Sequence, residues 1–280
     1  MKLCISYWSI EGGLANTRPV DEAMKEAKAA GFDGIELAIG TEGVLHTQTD
    51  QATCESYRKL AEKHGLALET VAAGLSWGCS PTDNDAATRE KSIRLHADAL
   101  QRAAWLGAKA MLMVPGAVAI PWEPKYGPVK YDDADRWARE AAKKLAPVAE
   151  KVGVDLCLEN VWNGMFYSPL EFADFVDSTG SPRVGAYFDV GNVLGYHQHP
   201  PHWIEILGKR IRRVHFKDFK KSVGTLAGFC DLLAGDVPWK QTMAALKAIG
   251  YDRTIVAEMM PPDPTLLQRT KAAMDKIVSM

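Results

Sequence analysis

Four segments of the chain end an apolar run in a side chain able to hold a metal ion: VDLCLEN at Glu159, VGAYFDVGN at Asp189, IRRVHFKDF at His215 and TIVAEMM at Glu258. Two glutamates, one aspartate and one imidazole make a hard, oxygen-rich donor set suited to a divalent ion. The intervals between them are 30, 26 and 43 residues, each about the length of one strand-plus-helix unit. Side chains alternate along a strand, so parity tests the grouping. Glu159 shares a face with Cys157 and Asp155, Asp189 with Tyr187 and Gly185, His215 with Arg213 and Ile211, and Glu258 with Val256 and Thr254. The residues between them, such as Leu156, Leu158, Phe188, Val214, Ile255 and Ala257, are apolar and suit packing against helices. Singly, each ionisable residue reads equally well as a structural carboxylate or core histidine. Four on successive strands with matching parity point to one shared ion.

Positioning four such groups requires a regular alternation of elements, and the chain supplies one. Strand patterns occur at KLCISYW, DGIELAI, LALETVAA, KAMLMVPG, VDLCLEN, RVGAYFD, IRRVHF and TIVAEMM. Helical spacing appears between them, for example in VDEAMKEAKAA, TREKSIRLHADALQRAAWLGA, DRWAREAAKKLAPVAEKVG and WKQTMAALKAIG. Gly31, Gly65, Gly107, Gly153 and Gly250 precede strands, where left-handed helix caps are wanted. Eight βα units without a Gly-x-Gly-x-x-Gly turn predict an α/β fold: a closed (β/α)8 TIM barrel, one domain over residues 1–280, with an open doubly wound sheet as the alternative. The longer connections, among them PGAVAIPWEPKYGPVKYDD and GYHQHPPHW (195–203), follow the carboxyl ends of strands, which is where barrel side chains converge on a substrate.

Composition narrows the function. The 280 residues, 47% hydrophobic and 24% charged, are ordinary for a globular enzyme. A formal net charge of −2 gives no basic footprint for nucleic acid. No apolar run reaches the roughly 18 residues of a membrane span, and MKLCISYWSIEGG reads as a first strand rather than a signal peptide. Five scattered cysteines without a Cys-x-x-Cys pair read as reduced thiols in a cytoplasmic protein.

The chain resembles the xylose isomerase-like barrel superfamily in its sugar-phosphate isomerase/epimerase branch, which includes D-tagatose 3-epimerase and L-ribulose-5-phosphate 3-epimerase. The likeness runs through GFDGIEL, SPTDNDAATREKSIRLHADALQRAAWLGAK, LEN, FDVGN, VHFKDF, GDVPW and AEM, nearly the whole chain. It implies one divalent ion, manganese, magnesium or cobalt with zinc also possible, on Glu159, Asp189, His215 and Glu258. It also implies that Glu159 and Glu258 form the acid/base pair, and that the protein is a homodimer or homotetramer. The chemistry agrees: inverting a carbon beside a ketone needs two proton-transfer groups on opposite faces of a planar enediolate. A divalent ion would stabilise its charge as a Lewis acid. The implied activity is epimerisation of a ketose or ketose phosphate at the third carbon. Aldose–ketose isomerisation, as in hydroxypyruvate isomerase, and inosose dehydration are alternatives on the same site. A non-catalytic sugar-binding protein is a further one.

Departures from D-tagatose 3-epimerase fall on its substrate contacts. Its histidine three after the Asp ligand is Asn192 here, a glutamate six after the first ligand is Met165, and an arginine six after the His ligand is Lys221. Phosphate on the substrate is therefore open. Lys217 shares the inward parity of His215 and suits either a substrate oxygen or an ion pair with Asp218 or another carboxylate. Asn192, Trp8, Trp77 and Trp162 are further candidate substrate contacts, and Trp122 reads equally as rim packing. Glu36 is inward and can hydrogen-bond near the site, although a structural role suits it better. His197, His199 and His202 read as surface residues; His46, His64 and His96 show no evident partner. Endonuclease IV, an abasic-site DNA nuclease of the same superfamily, needs extra histidines where this chain reads VAAG, MVPG, DVGN and AGDV, which argues against a trinuclear zinc centre.

Overall fold

A computed structural model describes residues 1–280. Ten strands are present: β1 (Leu3–Ser6), β2 (Gly34–Ala38), β3 (Thr70–Ala73), β4 (Ala110–Met113), β5 (Asp155–Glu159), β6 (Val184–Asp189), β7 (Ile211–Phe216), β8 (Asp218–Phe219), β9 (Phe229–Cys230) and β10 (Ile255–Ala257). Eight of them close into a parallel barrel in the order β1-β10-β7-β6-β5-β4-β3-β2. The remaining two, β8 and β9, form an antiparallel ribbon on the connection after β7. The expected barrel is thus observed, with all eight strand patterns in place.

Helices α1 (Val20–Ala29), α2 (Gln51–His64), α3 (Ala86–Trp105), α4 (Tyr131–Val152), α5 (Pro169–Asp177), α6 (Asn192–Gly195), α7 (Pro200–Leu207), α8 (Trp239–Ala248) and α9 (Leu266–Val278) connect the strands. Local signals set their ends. Asp50 and Asp85 accept from the backbone N–H groups of Thr53 and Thr88 as N-caps. The five glycines expected to end helices all have positive φ, between 63° and 88°. One expected loop is corrected: 195–203 contains the start of α7, because Pro200 and Pro201 occupy its first turn, where a missing N–H costs nothing.

Strand alternation divides the core in two. Outward residues such as Leu156, Phe188 and Val214 join a 71-residue cluster under the helices. Inward residues Ala72, Leu112, Cys157 and Tyr187 belong to a separate seven-residue cluster inside the barrel. Connections leaving the carboxyl ends are long, such as 114–130 and the ribbon-bearing segment after β7, whereas those at the other end are short. Side chains at the carboxyl end therefore sit under a deep collar of loops.

Candidate metal centre and active site

The ligand-bearing ends of β5, β6, β7 and β10 are adjacent. Asp189 lies opposite His215 in the ladder, and His215 opposite Val256. One ligand atom from each of Glu159, Asp189, His215 and Glu258 falls within 4.8 Å of the others, and all four residues are buried. The strand parity read from the sequence holds for the whole set.

Each ligand is held by its neighbours. Asn160 clamps β5 to β6, its Oδ1 accepting from Asp189 N–H (2.8 Å) and its Nδ2 donating to the Asp189 carbonyl (2.9 Å). Asn192 donates its backbone N–H to Asp189 Oδ1 (2.8 Å) and its side-chain amide to the Asn160 carbonyl (3.0 Å). The other Asp189 oxygen, Oδ2, is buried without a hydrogen bond and faces the cluster. His215 Nε2 lies 2.9 Å from Glu36 Oε1. Glu36 is fixed in turn by the Tyr187 hydroxyl and by Thr70. The opposite nitrogen, Nδ1, faces Glu159 Oε1 at 3.2 Å, Glu258 Oε2 at 3.0 Å and Asp189 Oδ2 at 4.0 Å.

That geometry fits a cation. One imidazole N–H cannot serve three carboxylates, whereas an Nδ1 lone pair and three carboxylate oxygens around one point suit a divalent ion. Donation of Nε2–H to a carboxylate is the usual support of a metal-bound histidine. Asp189 Oδ2, buried without a hydrogen bond and paired only with the Lys217 ammonium and the His215 ring, completes the match.

Electrostatics in the metal-free state agree. Burial opposes charge on His215, but Glu36, Glu159 and Glu258 hold its pKa well above the ordinary value. A cation arriving here therefore displaces a proton. The glutamates separate. Burial pushes Glu159 up to about 7. For Glu258 burial acts the same way, yet the Lys217 and His215 charges outweigh it and hold the group down to about 2. Lys217 Nζ lies 2.9 Å from Glu258 Oε2 and 3.2 Å from Asp189 Oδ2. Its partners are thus these two carboxylates and not Asp218, which accepts from Phe219 N–H, Leu233 N–H, Val237 N–H and Trp239 Nε1–H.

Above the cluster opens a cavity of about 500 Å³ lined by Glu159, Glu258, Lys217, Asn192 and the tryptophans Trp8, Trp77, Trp122 and Trp162, among others. Every residue expected to contact substrate lines it. Trp162 donates its Nε1–H to the Asn192 carbonyl (2.9 Å), which fixes the ring. Only glycine fits at Gly195, where a Cβ would stand 1.9 Å from that ring. Met165 is buried outside the cavity and Lys221 is exposed away from it.

Glu36, expected inward and within hydrogen-bonding reach of the site, meets His215 across 179 residues. Other side chains escaped the sequence reading. Asn160 and Phe229 carried no periodic signal. The expectation that His46, His64 and His96 lack partners is corrected: His46 Nδ1 accepts from Gln48 N–H, His64 meets Asp21, and His96 meets Ser92 and Ser76. His197 and His202 are exposed and His199 half-buried, as read.

Known proteins share this fold. D-psicose 3-epimerase of Ruminiclostridium cellulolyticum is 26% identical over 258 residues, covering 90% of this chain and 81% of that protein. The structure of D-psicose 3-epimerase with D-tagatose from Clostridium cellulolyticum H10 superposes with a TM-score of 0.80 at 21% identity, covering 99% of this chain and 98% of that one. The IOLI protein with a bound zinc atom gives a TM-score of 0.77 at 17% identity, covering 100% and 98%. The pattern of the xylose isomerase-like TIM barrel family matches residues 24–277, and the chain belongs to that family.

Proposed function

We propose that the protein, acting as one domain over residues 1–280, is a divalent-metal-dependent epimerase that inverts a ketose or ketose phosphate at the third carbon. The observation that carries this reading is the set of three carboxylates and one imidazole nitrogen converging beneath a cavity of about 500 Å³. The similarity to D-psicose 3-epimerase supports the choice of reaction. Glu159, Asp189, His215 and Glu258 would hold manganese, magnesium, cobalt or zinc, which supplies Lewis-acid stabilisation of a developing enediolate. Glu159 and Glu258 stand on different strands at the cavity floor. Burial favours a proton on Glu159, whereas the Lys217 and His215 charges favour an ionised Glu258. Lys217 brings an ammonium to Glu258 and the cavity, where it can orient a substrate oxygen. Trp8, Trp77 and Trp162 wall the sugar, and Asn192 holds Asp189 in place from the cavity edge. Five unpaired cysteines support a cytoplasmic location, and a homodimer or homotetramer is the assembly expected of the branch.

The test is incubation of the manganese-loaded protein with ketoses and ketose phosphates in deuterated water. Deuterium at the third carbon with inverted configuration is the expected result. An aldose product would establish an isomerase, and loss of water a dehydratase. Binding without exchange would establish a non-catalytic sugar-binding protein.

A further inference from the structure

The cavity changes character from floor to mouth. Glu159 and Glu258 form its floor, buried Val114, Val161 and Met259 follow, and half-buried Trp8, Trp77 and Phe229 stand above them. At the mouth Leu14, Trp122, Leu226 and Met260 are 69%, 46%, 39% and 43% exposed. These are four of the twelve large hydrophobic side chains that the whole chain leaves exposed. Clustering of exposed apolar groups around one opening marks a binding surface. The aromatic rings there are ordered against each other, with Trp77 edge-on to Trp122 at 4.7 Å and Trp162 tilted on Phe229 at 5.2 Å.

Polar groups are scarce above the floor. Twelve of the eighteen lining residues are hydrophobic, and Lys217 is the only cation. Its ammonium is already engaged by two carboxylates. Asp218 spends both oxygens on three backbone N–H groups and Trp239. On the walls above the floor a phosphate would find one ammonium, Lys217, paired with two carboxylates, and no arginine, the group that best recognises it. Barrel phosphate sites commonly use the loops after the seventh and eighth strands. In this chain those loops supply Lys217, Asp218 and Cys230 beside the apolar Leu226, Phe229, Met259, Met260 and Pro261. A bare ketohexose, after two of its oxygens engage the floor, would turn its remaining hydroxyls toward indole and aliphatic walls. A volume of about 500 Å³ lies within the range that encloses drug-sized ligands, larger than a monosaccharide.

We infer that the site takes an uncharged α-hydroxyketone sugar whose end remote from the reacting carbon carries an apolar group of aromatic size. The inference rests on the proposed proton-transfer reaction, and specifies the part of the substrate that the reaction leaves untouched. The reacting sugar lies on the acidic floor between Trp8, Trp77 and Trp162, and its substituent reaches the apolar mouth formed by Leu14, Trp122, Leu226 and Met260.

Three probes with the same reacting carbon test it: D-psicose, D-psicose 6-phosphate and 6-O-benzyl-D-psicose. Binding to the manganese-loaded protein is read by calorimetry, and deuterium entry at the third carbon by NMR. The benzyl ether is expected to bind on the order of ten-fold tighter than psicose, and the phosphate weaker than psicose. Trp122→Ala and Leu226→Asp, both at the exposed mouth, should each remove most of the benzyl advantage. Tightest binding by the phosphate, equal binding of ether and parent, or no binding of any probe overturns the inference. Preferred binding of the ether with no deuterium entry leaves the inference standing and removes the proposed reaction. Deuterium entry with preference for the phosphate does the opposite.

Discussion

At the amino end of the barrel Asp155 lies 3.1 Å from Arg183 and 3.9 Å from Arg253, and Glu69 lies 2.7 Å from Lys2, with partly exposed partners on each side. At the carboxyl end Glu159, Asp189 and Glu258 face only His215 and Lys217, and all three carboxylates are buried. The same residue types therefore do different things at the two ends. Acids fully matched by partly solvated bases contribute modestly to stability. Buried acids in excess over their bases carry an unmet demand for positive charge, which a divalent ion satisfies. What distinguishes a binding site here is the local charge balance and burial, not the presence of acidic residues.

The largest expected contrast is catalytic. Glu159→Gln or Glu258→Gln should each lower carbon–hydrogen exchange by roughly 10²–10⁴-fold. Asp155→Asn, at the opposite end, should leave exchange within about two-fold. Exchange rates in deuterated water measure both, and full activity in either glutamine variant removes that residue from the acid/base pair.

Next in size is a buried group that answers the same problem by giving up its charge. Burial lowers the His96 pKa from 6.5 to about 4, while Nδ1 lies 2.8 Å from the Ser92 carbonyl. The unfolded chain protonates this residue below about 6.5 and the folded chain only below about 4. Its stabilising contribution is therefore complete above pH 6.5 and lost as pH falls to 4, by roughly 3 kcal/mol over the window. Denaturant titrations of His96→Gln should lack that part of the pH dependence, and an unchanged slope would contradict it.

Support of the metal ligand comes third. Glu36→Gln should weaken manganese binding by about 10–100-fold, because Glu36 orients the His215 ring. Manganese at about 100 times its dissociation constant should stabilise the native protein by roughly 2.7 kcal/mol. Calorimetry and thermal melts read the two effects; the melting shift should vanish in Asp189→Asn and persist in Asp155→Asn. The smallest effect is at the amino end, where breaking the Asp155–Arg183 pair should cost about 1 kcal/mol of stability.

The sequence exposed the ends of strands better than the contacts across the barrel. Alternation in VDLCLEN and VGAYFDVGN set the inward faces of Glu159 and Asp189, because parity is a local property of a strand. The eight strands and their capping glycines were legible for the same reason. Glu36 against His215, Tyr187 against Glu36 and Lys217 against Glu258 were not, since each depends on strand register and barrel stagger. The ribbon that carries Phe229 was hidden because each strand has only two residues, too short for any periodicity to show. α7 was missed where two prolines resembled a turn but served as a helix start.

The central claim is a single cation held by Glu159, Asp189, His215 and Glu258, and anomalous diffraction from crystals grown with manganese tests it most directly. One peak per chain, within about 2.0–2.3 Å of all four side chains and with Lys217 drawn away from Asp189, is the expected result. No peak at that position, with the Lys217 ammonium still lodged between Asp189 and Glu258, would contradict it.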